Sequence, residues 1–395
     1  MTSGTRSLHQ ACITGIGMSQ IGRSLFRDPV ELAIEASLAA VGSAGLDRTD
    51  IDGLAAFLSG AGSVAALEVQ DALGLELEWF ATNGIGPSQL SALFDAIMAV
   101  ETGRVRHALV FHASCEGSAR KHLGRGGALP GSADETPARA AGMREHWLPY
   151  GAPSAGNFIS MYARRHFEEF GTTREQMAQI AIVQRRNAAL NPDAIYRAEL
   201  TMADYLGSRM ISDPFCLYDC DVPIDFGSAL IVSRLDACSG LAKPPILIDA
   251  LGMAIRSRSS WSQFDDLTTM MMRDAAASLW EHTDLRPADV DVAMLYDGFS
   301  FITMAWLEAL GFCERGESGP FIEGGKRISL DGELPINTYG GQLSGGRMHG
   351  WGYVPEACVQ LWGEGGVRQV PGAPAVAAVG VGGGIYAGAL LLTKS

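Results

Sequence analysis

The chain has 395 residues, room for two domains or for one duplicated pair of about 150–200 residues each. Hydrophobic residues make up 47% and charged residues 19% of it, which excludes an extensively disordered chain. A formal net charge of -14 makes nucleic acid a poor partner, although a local basic patch can still meet a small phosphorylated ligand.

The first ten residues, Met1 to Gln10, are polar and hold no apolar core of signal-peptide length. No run approaches the ~20 apolar residues of a membrane helix, so a soluble, cytoplasmic protein is expected. The cysteines, Cys12, Cys115, Cys216, Cys220, Cys238, Cys313 and Cys358, are odd in number and scattered. That pattern suits reduced thiols rather than a disulfide framework. Cys216 and Cys220 stand four apart, but no second pair or nearby histidine completes a zinc pattern, and they read as small buried hydrophobes.

In chain order, Ala11–Gly17 is an apolar, glycine-containing stretch of strand type. Glu35–Phe57 follows as a small-residue helix, an Asp50-Ile51-Asp52 step and an apolar strand. The same sequence of element types returns at Asp274–Tyr296, offset by 239 residues and without a gap, with its own step Asp289-Val290-Asp291. A glycine-ended apolar stretch, Ile246–Gly252, again precedes it. The colinear order points to an internal duplication. Ser88–Val100 places Leu90, Leu93, Phe94, Ile97 and Met98 on one helical face. Gly103 ends that helix, and Ala108–Phe111 reads as a buried strand. In the second half Val354–Trp362 is the matching helix, Ala375–Val381 the matching strand, and Gly382-Gly383-Gly384 leads into a last strand, Ala387–Thr393.

Glu116–Tyr205 has no counterpart in the second half. It opens as a loop rich in Gly, Ala, Pro and Arg (Arg120–Arg144) and continues as two helices, Ser154–Phe170 and Thr173–Ala189. Gly171 stops the first helix, and Thr172 or Thr173 caps the next. Such an insertion serves as a lid or substrate pocket, as a support for a dimer, or as both. The predicted units are residues 1–115 with 206–243 as the first half, 116–205 as the insertion and 244–395 as the second half. Strands alternating with helices predict mixed sheets covered by helices, an α/β stack of helix, sheet, helix, sheet and helix.

Several strings resemble the thiolase superfamily, in the lipid-transfer-protein-like branch that includes the steroid side-chain-cleaving aldolases. They are TGIGMSQIGR near the start, LPYGAP at Leu148–Pro153, YARRHFEEFGTT at Tyr162–Thr173 and RRNAALNPDA at Arg185–Ala194. SDPFCLYDCDVPIDFGSA at Ser212–Ala229, YDGFSF at Tyr296–Phe301, NTYGGQLSGGRMHGWG at Asn337–Gly352 and GVGGGIYAGALLL at Gly380–Leu392 complete the set. The resemblance covers essentially the whole chain and implies the thiolase fold, a duplicated αβαβα stack with two mixed five-stranded sheets.

The family's nucleophilic cysteine opens the helix of the Ser88 type. Here that turn reads Asn83-Gly84-Ile85-Gly86-Pro87-Ser88, without sulfur. The family's second cysteine falls at Gly380, and its histidine, six residues past a Gly-Gly pair, falls at Arg347, with His349 two residues on. Acyl-enzyme thiolysis requires the thiol, so ordinary thiolase and ketoacyl synthase chemistry is not expected. The family's Asn-Glu-Ala-Phe motif, whose Asn orders an oxyanion water, aligns with Tyr296-Asp297-Gly298-Phe299. In the related aldolases a tyrosine at this place is the catalytic group, so the resemblance carries that role to Tyr296. Those aldolases put a second tyrosine where this chain has Arg347, a departure at the proton relay.

The expected activity is retro-aldol cleavage of a β-hydroxyacyl-CoA with a bulky, steroid-like acyl group, without metal, Schiff base or other cofactor. The candidate catalytic residues are Tyr296, Arg347, His349 and, just before the Leu148–Pro153 turn, His146. Tyr296 is expected to exchange the β-hydroxyl proton, with Arg347 as the cation that favours the phenolate and with Arg347 and His349 tuning it or holding the thioester oxygen. Asn337, Gly341, Gly383 and Ser88 are assigned to the substrate and CoA, with backbone N–H groups of Gly340–Gly346 and Gly382–Gly384 as oxyanion donors. Asp297 reads as an anchor for its strand end. Plain alternatives exist for each: a core tyrosine, a surface ion pair, loop histidines. A non-catalytic CoA- or lipid-binding scaffold subunit and a cysteine-free acyltransferase are the competing functions. The resemblance further implies a homodimer that joins a small OB-fold, zinc-ribbon protein to make a heterotetramer.

Overall fold

The computed structural model describes residues 10–59, 63–84, 88–123, 144–256 and 264–395. The first half runs β1 (Ala11–Met18), α1 (Pro29–Ala44), β2 (Gly53–Phe57), α2 (Ala66–Leu73), β3 (Trp79–Asn83), α3 (Ser91–Glu101) and β4 (His107–Cys115). An excursion follows, with α4 (Glu116–Leu123), α5 (Arg144–Trp147), α6 (Ala155–Phe170), α7 (Arg174–Ala189) and α8 (Met202–Gly207). It ends in a two-stranded ribbon, β5 (Met210–Ser212) and β6 (Phe215–Cys216), before β7 (Asp225–Arg234) returns to the main sheet. The second half runs β8 (Ile246–Gly252), α9 (Met271–Trp280), β9 (Val292–Leu295), α10 (Ser300–Ala309), α11 (Ser318–Ile322), α12 (Tyr353–Trp362), β10 (Val376–Gly383) and β11 (Tyr386–Lys394). Among the described residues no helix is long and apolar enough to cross a membrane.

The helix ends carry their own chemistry. Asp28 accepts from the N–H of Val30 at 2.9 Å and Pro29 follows it, so α1 starts there. In the insertion Thr173 caps α7 through the N–H of Gln176 at 3.2 Å, and Gly171 closes α6 in the left-handed region. The 239-residue offset holds at the level of structure: β2 begins at Gly53 and β9 at Val292, each just after a 3₁₀ turn, Arg48–Asp50 and Pro287–Asp289.

The sheet differs from the expected pair of five-stranded sheets. Among the described residues nine strands form one continuous sheet in the order β3-β2-β4-β7-β1-β8-β11-β10-β9. The first half contributes five strands and the second four. The two join where β1 meets β8 through only two residue pairs, Cys12 with Leu247 and Ile13 with Ile246. The missing strand is the counterpart of β3. At its place the chain makes a single parallel bridge between Ala293 and Ile336. Pro335 stands beside that bridge, and without an N–H it cannot extend the ladder.

α1 and α2 cover one face of the first half with a core of their own, which includes Ala33, Ala40, Leu54, Val69 and Phe111. The other face shares one core with the second half, into which α3 and α12 are sunk. Met270, Met271 and Met272 are buried in that core. Asp225 starts β7 and accepts from the backbone of Leu25 at 2.6 Å and Ser118 at 2.8 Å.

Both halves press a helix backbone directly onto a strand glycine. A Cβ on Gly17 would collide with the Ala36 carbonyl of α1, and one on Gly252 with the Ala275 carbonyl of α9. Gly17→Ala should therefore push α1 off the sheet and cost about 3 kcal/mol, the upper end for overpacking. Denaturant unfolding of the variant against the wild type checks this.

Candidate active site

Three segments meet at the end of the second-half strands. β9 runs out into Tyr296 and Asp297. The loop 337–352 carries Arg347 and His349 and contains a single π-turn, Gly341–Gly345. The third segment, Cys220–Pro223, comes from the excursion. Backbone bonds staple it to both others: Asp221 N–H donates to Gly298 O at 3.3 Å, Val222 N–H to Gln342 O at 3.2 Å, and Arg347 N–H to Val222 O at 2.7 Å.

Asp297 holds the loop in place. Its carboxylate is fully buried and accepts from the N–H of Gln342 at 2.9 Å, from the N–H of Leu343 at 3.1 Å and from the Tyr353 hydroxyl. Burial pushes its pKa up to about 7 against those bonds. This fits the anchoring role read from sequence. Gly341 (φ +60°) lets the chain pass close by, since a Cβ there would collide with the Asp297 carboxylate.

Arg347 lies between two carboxylates that sequence reading did not single out. Its Nη2 is 2.6 Å from Glu116, which heads α4, and its Nη1 is 3.2 Å from Asp221. The side chains are 15%, 11% and 10% exposed respectively, so the cluster is nearly buried. Nε2 of His349 is 3.4 Å from the other Glu116 oxygen. Burial alone would raise the pKa of Glu116, but Arg347, His349 and Arg120 outweigh it and hold the carboxylate well below the usual range. Burial likewise works against the Arg347 charge, and Asp221 and Glu116 restore it. A carboxylate directly after a strand buried along its whole length was a usable signal for Glu116. Asp221 had none beyond its place in a family-like string.

Tyr296 is 8% exposed. Burial and then the charge of Asp221 push its phenol above the ordinary range, while Gln342 and Arg347 pull the other way and lose. The expected phenolate therefore does not form at rest; the group is a neutral phenol. Its ring folds back over Gly298, where a Cβ would sit 2.7 Å from Cε1. That explains a glycine at the place where thiolases carry alanine. The place of the second thiolase cysteine is filled as well: a Cβ on Gly380 would lie 2.7 Å from the indole of Trp306, whose Nε1 donates to Gly382 O at 2.8 Å.

The other assigned residues lie apart from this cluster. Ser88 is fully buried and accepts from Leu90 N–H at 3.2 Å in the turn just ahead of α3. Asn337 is fully buried and exchanges two 2.8 Å bonds with the backbone of Leu295. Gly383 ends β10 against Ile302. The side chain of His146 lies outside the described residues. His112, buried beneath His349 with ring centroids 6.1 Å apart, bonds Phe57 O through Nδ1 at 2.9 Å. Burial and then His349 hold its pKa well below the usual histidine value, so it is neutral.

A cavity of about 440 Å³ opens on Asp221, with Cys220, Val222, Leu343 and Tyr218 in its wall and Arg23, Arg185 and Tyr196 beside them. A larger one of about 590 Å³ lies between β1 and α12 around Met348. Neither Arg347 nor Tyr296 lines either cavity; Asp221, the ion-pair partner of Arg347, lines the smaller one, and we place the chemistry there. One buried donor in the site, Arg347 Nε, has no protein partner among the described residues, while the Gln342 amide acts on the Tyr296 phenol. An orphaned buried donor costs about 1–3 kcal/mol, a cost that a bound acceptor would relieve.

Residues 254–394 match the family model of the thiolase C-terminal domain. The chain is 34% identical to a steroid side-chain-cleaving aldolase of Thermomonospora curvata, over 88% of this chain and 89% of that protein. It is 33% identical to a 17-hydroxy-3-oxo-4-pregnene-20-carboxyl-CoA lyase of Mycobacterium tuberculosis, over 90% of this chain and 92% of that one. The solved Ltp2-ChsH2(DUF35) aldolase superposes with a TM-score of 0.86 at 32% identity, covering 98% of both chains.

Glu116→Gln should cost about 3 kcal/mol at pH 7, the low end for breaking a buried pair because Asp221 still faces Arg347. The folded pKa of Glu116 is depressed, so its contribution is complete above the unfolded value of 4.5 and is lost as pH falls through the folded value. The stability gap between wild type and variant, measured by urea unfolding, should begin to close below about pH 4.5.

Proposed function

The chain belongs to the thiolase superfamily, on the branch of the steroid side-chain-cleaving aldolases, and we propose that it cleaves a steroid-like β-hydroxyacyl-CoA by a retro-aldol step. The observation that carries this is the exchange at the centre of the site. No sulfur stands in the turn Asn83–Ser88 or at Gly380, with Trp306 packed onto the latter, and a neutral phenol, Tyr296, stands where thiolases carry an amide.

In the reaction a base removes the β-hydroxyl proton, a C=O forms there, and the bond to Cα breaks. The electron pair moves onto the thioester oxygen as an enolate, and an acid then protonates Cα. The products are a ketone or aldehyde and a shorter acyl-CoA. The thioester carbonyl is itself the electron sink. The unpaired Nε–H of Arg347 suits the enolate oxygen, as a preorganised donor in a nearly dry site. Tyr296, kept protonated by burial, suits the acid that delivers a proton to Cα. His349 and Glu116 hold Arg347 in place. Arg23 and Tyr196 beside the 440 Å³ cavity suit the phosphates and base of CoA.

The proposal extends to assembly. The chain would work as a dimer joined by a small OB-fold, zinc-ribbon protein in a heterotetramer. The resemblance to a solved aldolase that bears both Ltp2 and ChsH2(DUF35) in its name supports a second protein.

The purified chain, with and without such a partner, should release a steroid ketone from a 17-hydroxy steroid carboxyl-CoA. Tyr296→Phe should lower that turnover by about 10²–10⁴-fold, the ordinary contribution of a general acid. Unchanged product release in the variant, followed by chromatography, would remove Tyr296 from the mechanism. Gly298→Ala should displace the ring without removing the hydroxyl and lower kcat by up to about 10²-fold.

A further inference from the structure

The mechanism above still lacks its base. The phenol of Tyr296 is held neutral, and Arg347 is held charged by two carboxylates. Five carboxylates on the excursion and the segments that flank it, Glu116, Asp219, Asp221, Asp225 and Asp297, differ in what already occupies their oxygens. Asp297 accepts from two backbone N–H groups and a hydroxyl. Asp219 accepts from Tyr205 and from Cys216 N–H, and Asp225 from Leu25, Ser118 N–H and the Ser118 hydroxyl. Glu116 accepts from Arg347 and Arg120 and faces His349. Asp221 is different. Its carboxylate has one ion pair, the 3.2 Å contact to Arg347, and no hydrogen bond among the described residues. It is 10% exposed and forms part of the wall of the 440 Å³ cavity.

We infer that Asp221 is the base that takes the proton from the substrate's β-hydroxyl. This rests on the retro-aldol reading and completes it. The ion pair with Arg347 orients the carboxylate, and its uncommitted lone pairs are left for a hydroxyl. Its backbone N–H is tied to Gly298, two residues past Tyr296, which places base and acid on adjoining backbone. The cycle then balances. The hydroxyl proton moves to Asp221 as the Cα bond breaks. Tyr296 gives its proton to Cα. Protonated Asp221 then returns a proton to the Tyr296 phenolate, and both groups regain their starting states. Burial raises the pKa of Asp221, with Arg347 opposing, which makes it a stronger base than a solvated aspartate.

The test uses the full chain with its partner and a 17-hydroxy steroid carboxyl-CoA. Asp221→Asn keeps an oxygen for Arg347 but removes the base. It should lower cleavage by about 10²–10⁴-fold. Exchange of the α-hydrogen of the short acyl-CoA product in D₂O needs Tyr296 as phenolate with its proton held on Asp221, so both Asp221→Asn and Tyr296→Phe should lose it. Asp221→Ala should regain turnover with added formate, which a purely structural role would not allow. Cleavage by Asp221→Asn within about threefold of wild type, or no formate rescue of Asp221→Ala, overturns the assignment. A wild-type chain that exchanges the α-hydrogen but cleaves no β-hydroxyacyl-CoA overturns the function reading instead.

Discussion

The site depends on a guanidinium that is almost out of water. Arg347 can keep its charge there only because Glu116 and Asp221 bracket it. The three residues come from the end of a first-half strand, from the excursion and from a second-half loop. One ion cluster therefore ties together the parts that form the pocket. Removing a charge from such a cluster leaves another one buried without compensation, which makes its members poor candidates for neutral drift.

Asp297 does the corresponding work for the backbone. By accepting from Gln342 and Leu343 it sets the π-turn that aims Arg347 and His349. Tyr353, from α12, closes that arrangement from behind. The phenol of Tyr296 lies over Gly298 beside it. Loss of sulfur chemistry and gain of a phenol are thus one packing event with several parts: a ring that needs a missing Cβ, an indole against Gly380, and a loop held by a carboxylate.

The fold was readable wherever local pattern decides it. The offset of 239 residues appears in the structure at the starts of β2 and β9, and the capping residues of the insertion fall where Gly171 and Thr173 predicted. The sheet count was not readable. The strand that would match β3 shrinks to one bridge beside Pro335, and β1 joins β8 over only two pairs. Whether two sheets remain separate or share an edge depends on a few long-range bonds that no periodicity records. The candidate site was legible in part. Tyr296, Arg347 and His349 were named from motif positions, and the structure gathers them. Ser88 and Asn337 were named by the same reasoning, yet their side chains are committed to the backbone of a turn and of a strand end.

The amino-acid sequence determined what chemistry was unavailable. Cysteine is missing from both places where the family's sulfur would stand, and this is a property of residue identity alone. It also determined the order of strands and helices, because side-chain periodicity is local. Tertiary structure decided which charges act together. Glu116 and Arg347 stand 231 positions apart, and nothing along the chain distinguishes Asp221 from Asp219 two residues earlier. Packing buries one carboxylate against a tyrosine and turns the other toward a cavity and a cation, and a carboxylate's role follows from what occupies its lone pairs.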